Sequence, residues 1–404
     1  MDPITHGITG ALLSKAYFTK RDTAPTARAA IFAATLGAVF PDVDIAVELF
    51  SRDPLSIARI HRGFTHSFIG LPLFAAVLAL LTRWWLRRRG QEAPSLGHLF
   101  LVYGVGIASH ILLDAMTTFG TRIWNPISRE RFAWDLLVII DFAFTGIVLL
   151  PQVAAWVYRD RGKSAGRAAW MWVVFSLSAL AAWRIARGAG YPFSLRIVPV
   201  ISILLAVFFF LPGRGGWGFR ILRSSWCKAG VYAAVAYIIV CGMAHHAALE
   251  RVRAFAAQNH IAVERLGALP LPPSLLDWNG LIRSTDGVYE ARFDLRNSQP
   301  PEFRFAADSP PNRYVEAALA LPDVRTFLWF ARFPRIQYSS KGDFEVIDFR
   351  DLRFAGQRTK GPPPFTFRVI LDPEGRLIDE GWMGGVVYGR RRIRTEPAPS
   401  TDAK

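Results

Sequence analysis

Long apolar runs separated by short polar loops constrain this chain more than any other feature. Several runs approach the ~20 residues that a helix needs to cross a bilayer, and 51% of the 404 residues are hydrophobic. We predict membrane-spanning helices at Phe68–Trp84, Leu99–Met116, Phe132–Tyr158, Ala168–Ile185, Ile197–Leu211 and Gly230–Ala248. Two earlier runs, Gly7–Phe18 and Ala29–Phe40, are only about a dozen residues long, which suits buried or tilted helices better than plain spans.

The net charge of +16 is concentrated in short loops between the predicted helices. Loops that are short and basic normally stay in the cytoplasm, so the excess indicates membrane topology, and we expect no nucleic-acid partner. The three clusters are Arg83, Arg87, Arg88 and Arg89, then Arg159, Arg161, Lys163 and Arg167, then Arg214, Arg220, Arg223 and Lys228. With those loops inside, alternation of the helices fixes which end of each helix faces outward. Only two cysteines occur, which argues against a disulfide framework or a cysteine metal site.

The composition changes after about Leu249. Prolines interrupt the chain, and segments then alternate apolar and polar residues, as strands do. These segments begin at Gly287, Phe344 and Phe365, and short helices are expected at Tyr314–Leu321 and Val324–Phe330. The predicted fold is therefore mainly α, a polytopic helical membrane bundle with a smaller, strand-rich (α+β) extracytoplasmic C-terminal domain. We predict a helical metal-site region at 1–126, further transmembrane helices at 127–248, and the strand-rich domain at 249–404 with a disordered basic tail.

Histidines and aspartates gather at one end of the early helices. The four segments that carry them are Asp2-Pro-Ile-Thr-His6, Pro41-Asp-Val-Asp44, His61-Arg-Gly-Phe-Thr-His-Ser67 and Ser109-His-Ile-Leu-Leu-Asp114. Each segment lies at the helix end that the loop charges place outside. An ionisable pair such as His110 and Asp114 inside an apolar helix is costly and by default functional. Their common side predicts one shared site.

The residue types and spacings indicate a metal centre. His110 and Asp114 are four residues apart and share one helix face, while imidazole and carboxylate together suit Zn, Mn or Fe. Candidate ligands are His6, Asp42, Asp44, His61, His66, His110 and Asp114. A catalytic zinc usually takes three protein ligands, so this set suits one to three ions, with Asp42 or Asp44 as a possible bridge. Arg62 is a candidate to stabilise phosphate charge, and Asp141 is a candidate to orient a ligand or add one.

The ordered motifs resemble those of the bacterial inner-membrane-bound, metal-dependent hydrolases (the YdjM-like family), a family distantly similar to zinc-dependent phospholipase C. The resemblance covers roughly residues 1–120 and includes Thr117-Thr-Phe-Gly120. It implies that the seven His and Asp residues are metal ligands, most often of zinc. It also implies a reaction in which metal-activated water attacks a phosphoester or similar ester.

We therefore predict a multi-pass hydrolase of the bacterial inner membrane, with Asp44 and Arg62 catalytic and the site on the extracytoplasmic face. A membrane lipid is the favoured substrate and partner, while the oligomeric state stays open. A metal transporter or sensor is the first alternative, although transport requires ionisable residues through the membrane depth, and here they cluster at one end. A metal-stapled scaffold that binds a partner through its C-terminal domain is the second.

Overall fold

The computed structural model describes residues 1–19, 25–51, 53–188, 194–272, 275–354 and 365–383. The chain divides into two compact units. The first comprises Met1–Val43, Arg62–Met243 and Pro272–Leu275, and the second comprises Asp44–His61, Ala244–Leu271 and Leu276–Lys404. The predicted division at residues 126 and 248 stays a prediction.

The first unit is mainly helical in its described residues, with one long non-helical connection between Ala115 and Phe142. Its helices are α1 (Pro3–Leu13), α2 (Pro25–Val39), the start of α3 (Val43–Phe50), α5 (Gly70–Arg88), α6 (Leu96–Ala115), α7 (Phe142–Val157), α8 (Arg161–Gly188), α9 (Ile197–Arg214) and most of α10 (Arg223–Gln258). By length and composition, six described helical stretches can cross a membrane: Pro25–Val47, Gly70–Arg88, Leu96–Ala115, Arg161–Gly188, Ile197–Arg214 and Arg223–Gln258. The predicted polytopic bundle is confirmed.

Two helix predictions are corrected. The run Phe132–Tyr158 is helical only from Phe142. The helix begins there because the Asp141 carboxylate caps it, accepting hydrogen bonds from the backbone N–H groups of Ala143 and Phe144. At 16 residues, α7 is about 24 Å long, shorter than a bilayer core of ~30 Å. Conversely, the predicted run Ala29–Phe40 belongs to a longer helical stretch, Pro25–Val47. A 3-10 turn at Phe40–Asp42 joins α2 to α3, so the chain stays helical from one to the other.

Helices α1, α2 and α6 pack closely because small residues line their contacts. Ala30, Ala33, Ala34 and Ala38 of α2 are buried. A Cβ atom added at Gly106 of α6 would lie 2.6 Å from the carbonyl oxygen of Ala34, closer than packed atoms allow. Small residues that let backbones approach are typical of helix contacts in membranes. This contact fixes the position of α6 along the axis of α2.

We predict that Gly106→Ala lowers the stability of the protein by about 1–3 kcal/mol, the usual cost of overpacking a core. Gly104→Ala is the matched control on the same helix, because its added Cβ would meet only Leu71 Cδ2 at 3.8 Å. Thermal unfolding in detergent should show a lower Tm for Gly106→Ala alone. Equal Tm values for both variants would contradict the close contact.

The second unit contains two four-stranded antiparallel sheets, each with its strands in chain order. The first sheet is β1 (Val263–Pro270), β2 (Asp277–Ser284), β3 (Gly287–Asp294) and β4 (Arg304–Ala307); the second is β5 (Pro334–Lys341), β6 (Phe344–Asp351), β7 (Thr366–Leu371) and β8 (Leu377–Met383). Helices α11 (Arg313–Ala320) and α12 (Pro322–Phe330) connect the sheets. The strand-rich C-terminal region is confirmed, and the predicted tail from Arg390 lies outside the described residues.

Buried aromatic side chains hold this unit together. Phe327 of α12 packs against Phe349, Phe367 and Trp382 of the second sheet. The unit also includes the short helix α4 (Ser56–Arg59). Arg59 pairs with Asp323 at 2.8 Å, so residues 44–61 fold with the C-terminal strands although they lie early in the sequence.

Candidate metal centre

Four side chains from three places in the chain meet inside the first unit. Asp42 lies in the turn between α2 and α3, and His66 lies in a 3-10 turn at Phe64–His66. His110 and Asp114 lie one turn apart on α6. One ligand atom from each residue lies within 4.8 Å of the other three. Among the described residues this is the one group of His, Cys, Asp or Glu with spacing suited to a metal ion.

The distances between these atoms match a four-ligand cage. The Nε2 atoms of His66 and His110 are 3.0 Å apart. Each Nε2 lies 3.5 Å from Oδ1 of Asp42 and 3.4 Å from Oδ2 of Asp114. Ligands ~2.0–2.1 Å from a tetrahedral zinc ion are ~3.3–3.4 Å from one another. The side chains therefore converge at metal-ligand spacing.

The Nδ1 contacts of both imidazole rings leave their Nε2 atoms directed toward the cluster. Nδ1 of His110 lies 2.6 Å from the carbonyl oxygen of Ala38, which can only accept, so Nδ1 carries the proton. Nδ1 of His66 lies 3.0 Å from the Thr65 hydroxyl, which can accept in the same way. A second hydrogen bond of this kind is what fixes the tautomer of a metal-binding histidine.

The charge of the pocket also fits a cation. Asp42 and Asp114 both contribute a carboxylate to the cluster, and the two basic groups in contact with it, the Arg62 guanidinium at 2.8 Å from Oδ2 and the Met1 amino group at Oδ1, both lie on Asp114. Oδ2 of Asp42 is buried with no hydrogen-bond partner among the residues that the structure describes. Buried charge is costly unless it is paired or coordinates a metal. These residues fit a divalent ion.

Asp42 is the most exposed member of the cluster. The Asp42 side chain is 10% exposed, whereas those of His66, His110 and Asp114 are at most 1% exposed. Of the four side chains, that of Asp42 therefore lies nearest the protein surface.

His6 lies against the cluster without being one of its four members. Its ring stacks on that of His110, with centroids 3.7 Å apart, and its Nε2 is 3.2 Å from Oδ1 of Asp114. The amino group of Met1 contacts the same oxygen, and burial lowers the pKa of this amine because an ammonium ion loses its hydration there. His6 thus supports Asp114 from the side opposite Arg62.

Asp44 and His61 form a pair within the second unit. Nδ1 of His61 lies 3.0 Å from Oδ1 of Asp44, and the Asp44 side chain is buried. A carboxylate beside Nδ1 is a common way of orienting an imidazole ring. The ligand role predicted for both residues, and the catalytic role of Asp44, stay predictions.

Arg62 is anchored on the ligand-bearing end of α6. Besides its contact with the Asp114 carboxylate, its guanidinium donates to the carbonyl oxygen of Asp114 at 3.2 Å and to the Thr117 hydroxyl at 2.8 Å. The backbone φ of Arg62 is 55°, a conformation that costs about 1–3 kcal/mol for such a residue. This arrangement positions Asp114, and a role on phosphate stays a prediction.

Asp141 has a capping role in the described contacts. Its Oδ1 accepts from the backbone N–H groups of Ala143 and Phe144, and its Oδ2 accepts from the Tyr237 hydroxyl at 2.9 Å. These bonds tie the start of α7 to α10. The predicted support of a metal ligand by Asp141 stays a prediction.

The helices and the cluster define a polytopic membrane protein with a candidate metal centre near its N-terminus. Residues 1–189 match the family model described as YdjM inner membrane protein, which confirms the resemblance to this family and supports a multi-pass location in the inner membrane. One relative is the inner membrane protein YbcI of Escherichia coli (strain K12), 34% identical over 122 residues. The match covers 28% of this chain and 65% of the relative, so the chain spans just under two thirds of that protein. No solved structure matches. Neither description names a reaction.

Two parts of the site carry no signal in the sequence. The carbonyl oxygen of Ala38, which orients His110, belongs to the backbone and depends on how α2 packs against α6. The Thr65 hydroxyl lies in the His61–Ser67 segment, but nothing in that segment indicates that it contacts His66 rather than caps a helix. Only the fold distinguishes these roles.

We predict that Thr65→Val weakens metal binding by the ~10–100-fold typical of losing a ligand's outer hydrogen bond. Thr35→Val is the control, because Thr35 only donates to the carbonyl of Ile31 within α2. Titration of the apoprotein with Zn²⁺ in competition with a chelating dye measures both affinities. Unchanged affinity in Thr65→Val would show that Thr65 does not orient His66.

Proposed function

We propose that this protein is a metal-dependent hydrolase of the inner membrane that cleaves a phosphoester or a related ester. The observation that carries the proposal is the convergence of Asp42, His66, His110 and Asp114 with both imidazole lone pairs directed inward. Zinc is the metal that this ligand set favours, with Mn or Fe as substitutes. When bound, such an ion supplies Lewis-acid chemistry: it activates water and neutralises charge on a phosphoryl oxygen.

The residues of the chain would divide this work. His66 and His110 would bind the ion through Nε2, because the Nδ1 atom of each ring is engaged elsewhere, with the carbonyl oxygen of Ala38 for His110 and the Thr65 hydroxyl for His66. Asp114 is held from two sides by Arg62 and His6, so it keeps its position as charge changes nearby. Asp42 is the most accessible ligand and has a buried oxygen without a hydrogen-bond partner among the described residues. That oxygen is available to accept a proton from an attacking water.

We further propose that the site faces the extracytoplasmic side. The basic cluster Arg87, Arg88 and Arg89 lies at the end of α5 and just before α6, whereas His110 and Asp114 lie at the opposite end of α6. Short basic loops favour the cytoplasm. Labelling of whole cells with a thiol reagent that does not cross the membrane, on cysteines introduced at Gly90 and at Ser128, would show which end of α6 faces outward.

A metal that only joins helices is the alternative, and the deep burial of three ligands favours it. The Asp42→Asn variant distinguishes a hydrolase from a structural metal site, because asparagine keeps the shape of the side chain and removes its charge. We expect hydrolysis of phosphodiester substrates to fall by at least ~100-fold, more than the loss from an outer hydrogen bond, while Tm changes little. Turnover and Tm should be measured with and without chelator.

His98→Ala is the matched control for loss of a histidine. His98 lies at the other end of α6 from the cluster, so the activity and metal content of the His98→Ala variant should equal those of the unsubstituted protein. A protein that unfolds in chelator and hydrolyses nothing in a phosphodiester, phosphomonoester and carboxyl-ester panel would support the scaffold and overturn the hydrolase.

A further inference from the structure

Residues 116–141, which join α6 to α7, form a long connection at the ligand end of α6. We call them the connecting loop. Their only described sheet-like pairings are two isolated bridges, Thr117 with Leu137 and Thr121 with Phe132. Since α6 is one of the membrane-spanning candidates, the loop begins where that helix leaves the hydrocarbon core. Its level is therefore that of the lipid headgroups.

The connecting loop is fixed rigidly beside the metal centre. Thr121 and Phe132 exchange two backbone hydrogen bonds of 2.9 Å. The backbone N–H of Arg122 donates to the carbonyl of Arg62 at 3.2 Å, and that of Trp134 donates to the carbonyl of Ala115 at 2.8 Å. Arg62 and Ala115 are respectively a contact and a chain neighbour of Asp114. Backbone hydrogen bonds thus connect the loop to residues next to the metal ligands.

The outer surface of this loop is apolar where a loop in water would be polar. Ile127 is 84% exposed, Trp124 is 47% exposed and Trp134 is 42% exposed. Arg129 and Glu130 are exposed between them. Tryptophan is enriched where its ring can lie among headgroups, and a basic side chain there meets lipid phosphate. Apolar side chains and a cation on one loop complement a phospholipid surface.

We propose that the connecting loop is a membrane-interface surface that inserts Trp124, Ile127 and Trp134 among phospholipid headgroups and sets Arg129 against their phosphates. The metal centre then receives a phospholipid directly from the leaflet, without the lipid passing through water. This substrate assignment rests on the proposed hydrolase function, whereas the lipid contact of the loop does not.

Lipid contact can be measured without any activity. The full chain carrying Ile127→Cys, labelled with an environment-sensitive nitrobenzoxadiazole dye, is reconstituted in phosphatidylethanolamine–phosphatidylglycerol vesicles. The native Cys227 and Cys241 are buried, and unsubstituted protein gives the labelling blank. Lys341→Cys is the control, since Lys341 is exposed at the β5–β6 hairpin. We expect the label at 127 to be quenched several-fold more by nitroxide lipids than by aqueous iodide, with the reverse order at 341.

Two results would overturn the lipid contact. Quenching of the label at 127 by iodide alone would place the loop in water. Protection from both quenchers would mean that a protein, either a partner or a second copy, covers the loop.

The substrate assignment has its own test. The double variant Trp124→Ser with Ile127→Ser should lose turnover several-fold on vesicle phospholipid and keep it on a water-soluble phosphodiester. Trp170→Ser, which removes an even more exposed tryptophan, at 62% exposure, from α8, should affect neither substrate. Equal loss on both substrates would overturn delivery from the leaflet, and absence of any hydrolysis by unsubstituted protein would overturn the hydrolase while leaving the quenching result intact.

Discussion

Two carboxylates and two imidazole lone pairs converge in the first unit, and the surrounding structure is arranged around that convergence. Left alone, Asp42, His66, His110 and Asp114 would place like charges and facing lone pairs together in a poorly solvated pocket, which is expensive. A divalent cation held by these four residues would remove that cost, because the carboxylates and lone pairs would then face a positive charge. Arg62 and His6 contact Asp114 and so lower the free-energy cost of burying its carboxylate.

The small residues of the early helices help to bring the four side chains of the cluster together. Ala34 of α2 allows Gly106 of α6 to approach its backbone, and one turn later Ala38 presents its carbonyl to His110. A larger residue in this contact would shift α6 along or away from α2. The helix packing and the orientation of the ligand therefore have a common origin in residues that carry no chemistry of their own.

Much of this was predictable from the sequence, and the failures have physical causes. The apolar runs predicted the bundle, and the alternating segments at Gly287, Phe344 and Phe365 predicted strands. The start of α7 was missed because hydrophobicity does not register the cap at Asp141. Strand β2 was missed because five consecutive residues are buried, so alternation is absent. The motifs predicted Asp42, His66, His110 and Asp114 together, whereas the pairing of Asp44 with His61 inside the second unit depends on long-range folding.

X-ray absorption at the zinc edge of the purified, zinc-loaded protein tests the central claim most directly. The account predicts a first shell of nitrogen and oxygen at ~2.0–2.1 Å, with the outer-shell scattering of two imidazole rings and no sulfur. This spectrum should be lost when His66 and His110 are both replaced by alanine. Failure of the native protein to retain zinc, or a first shell that contains no imidazole, would contradict it.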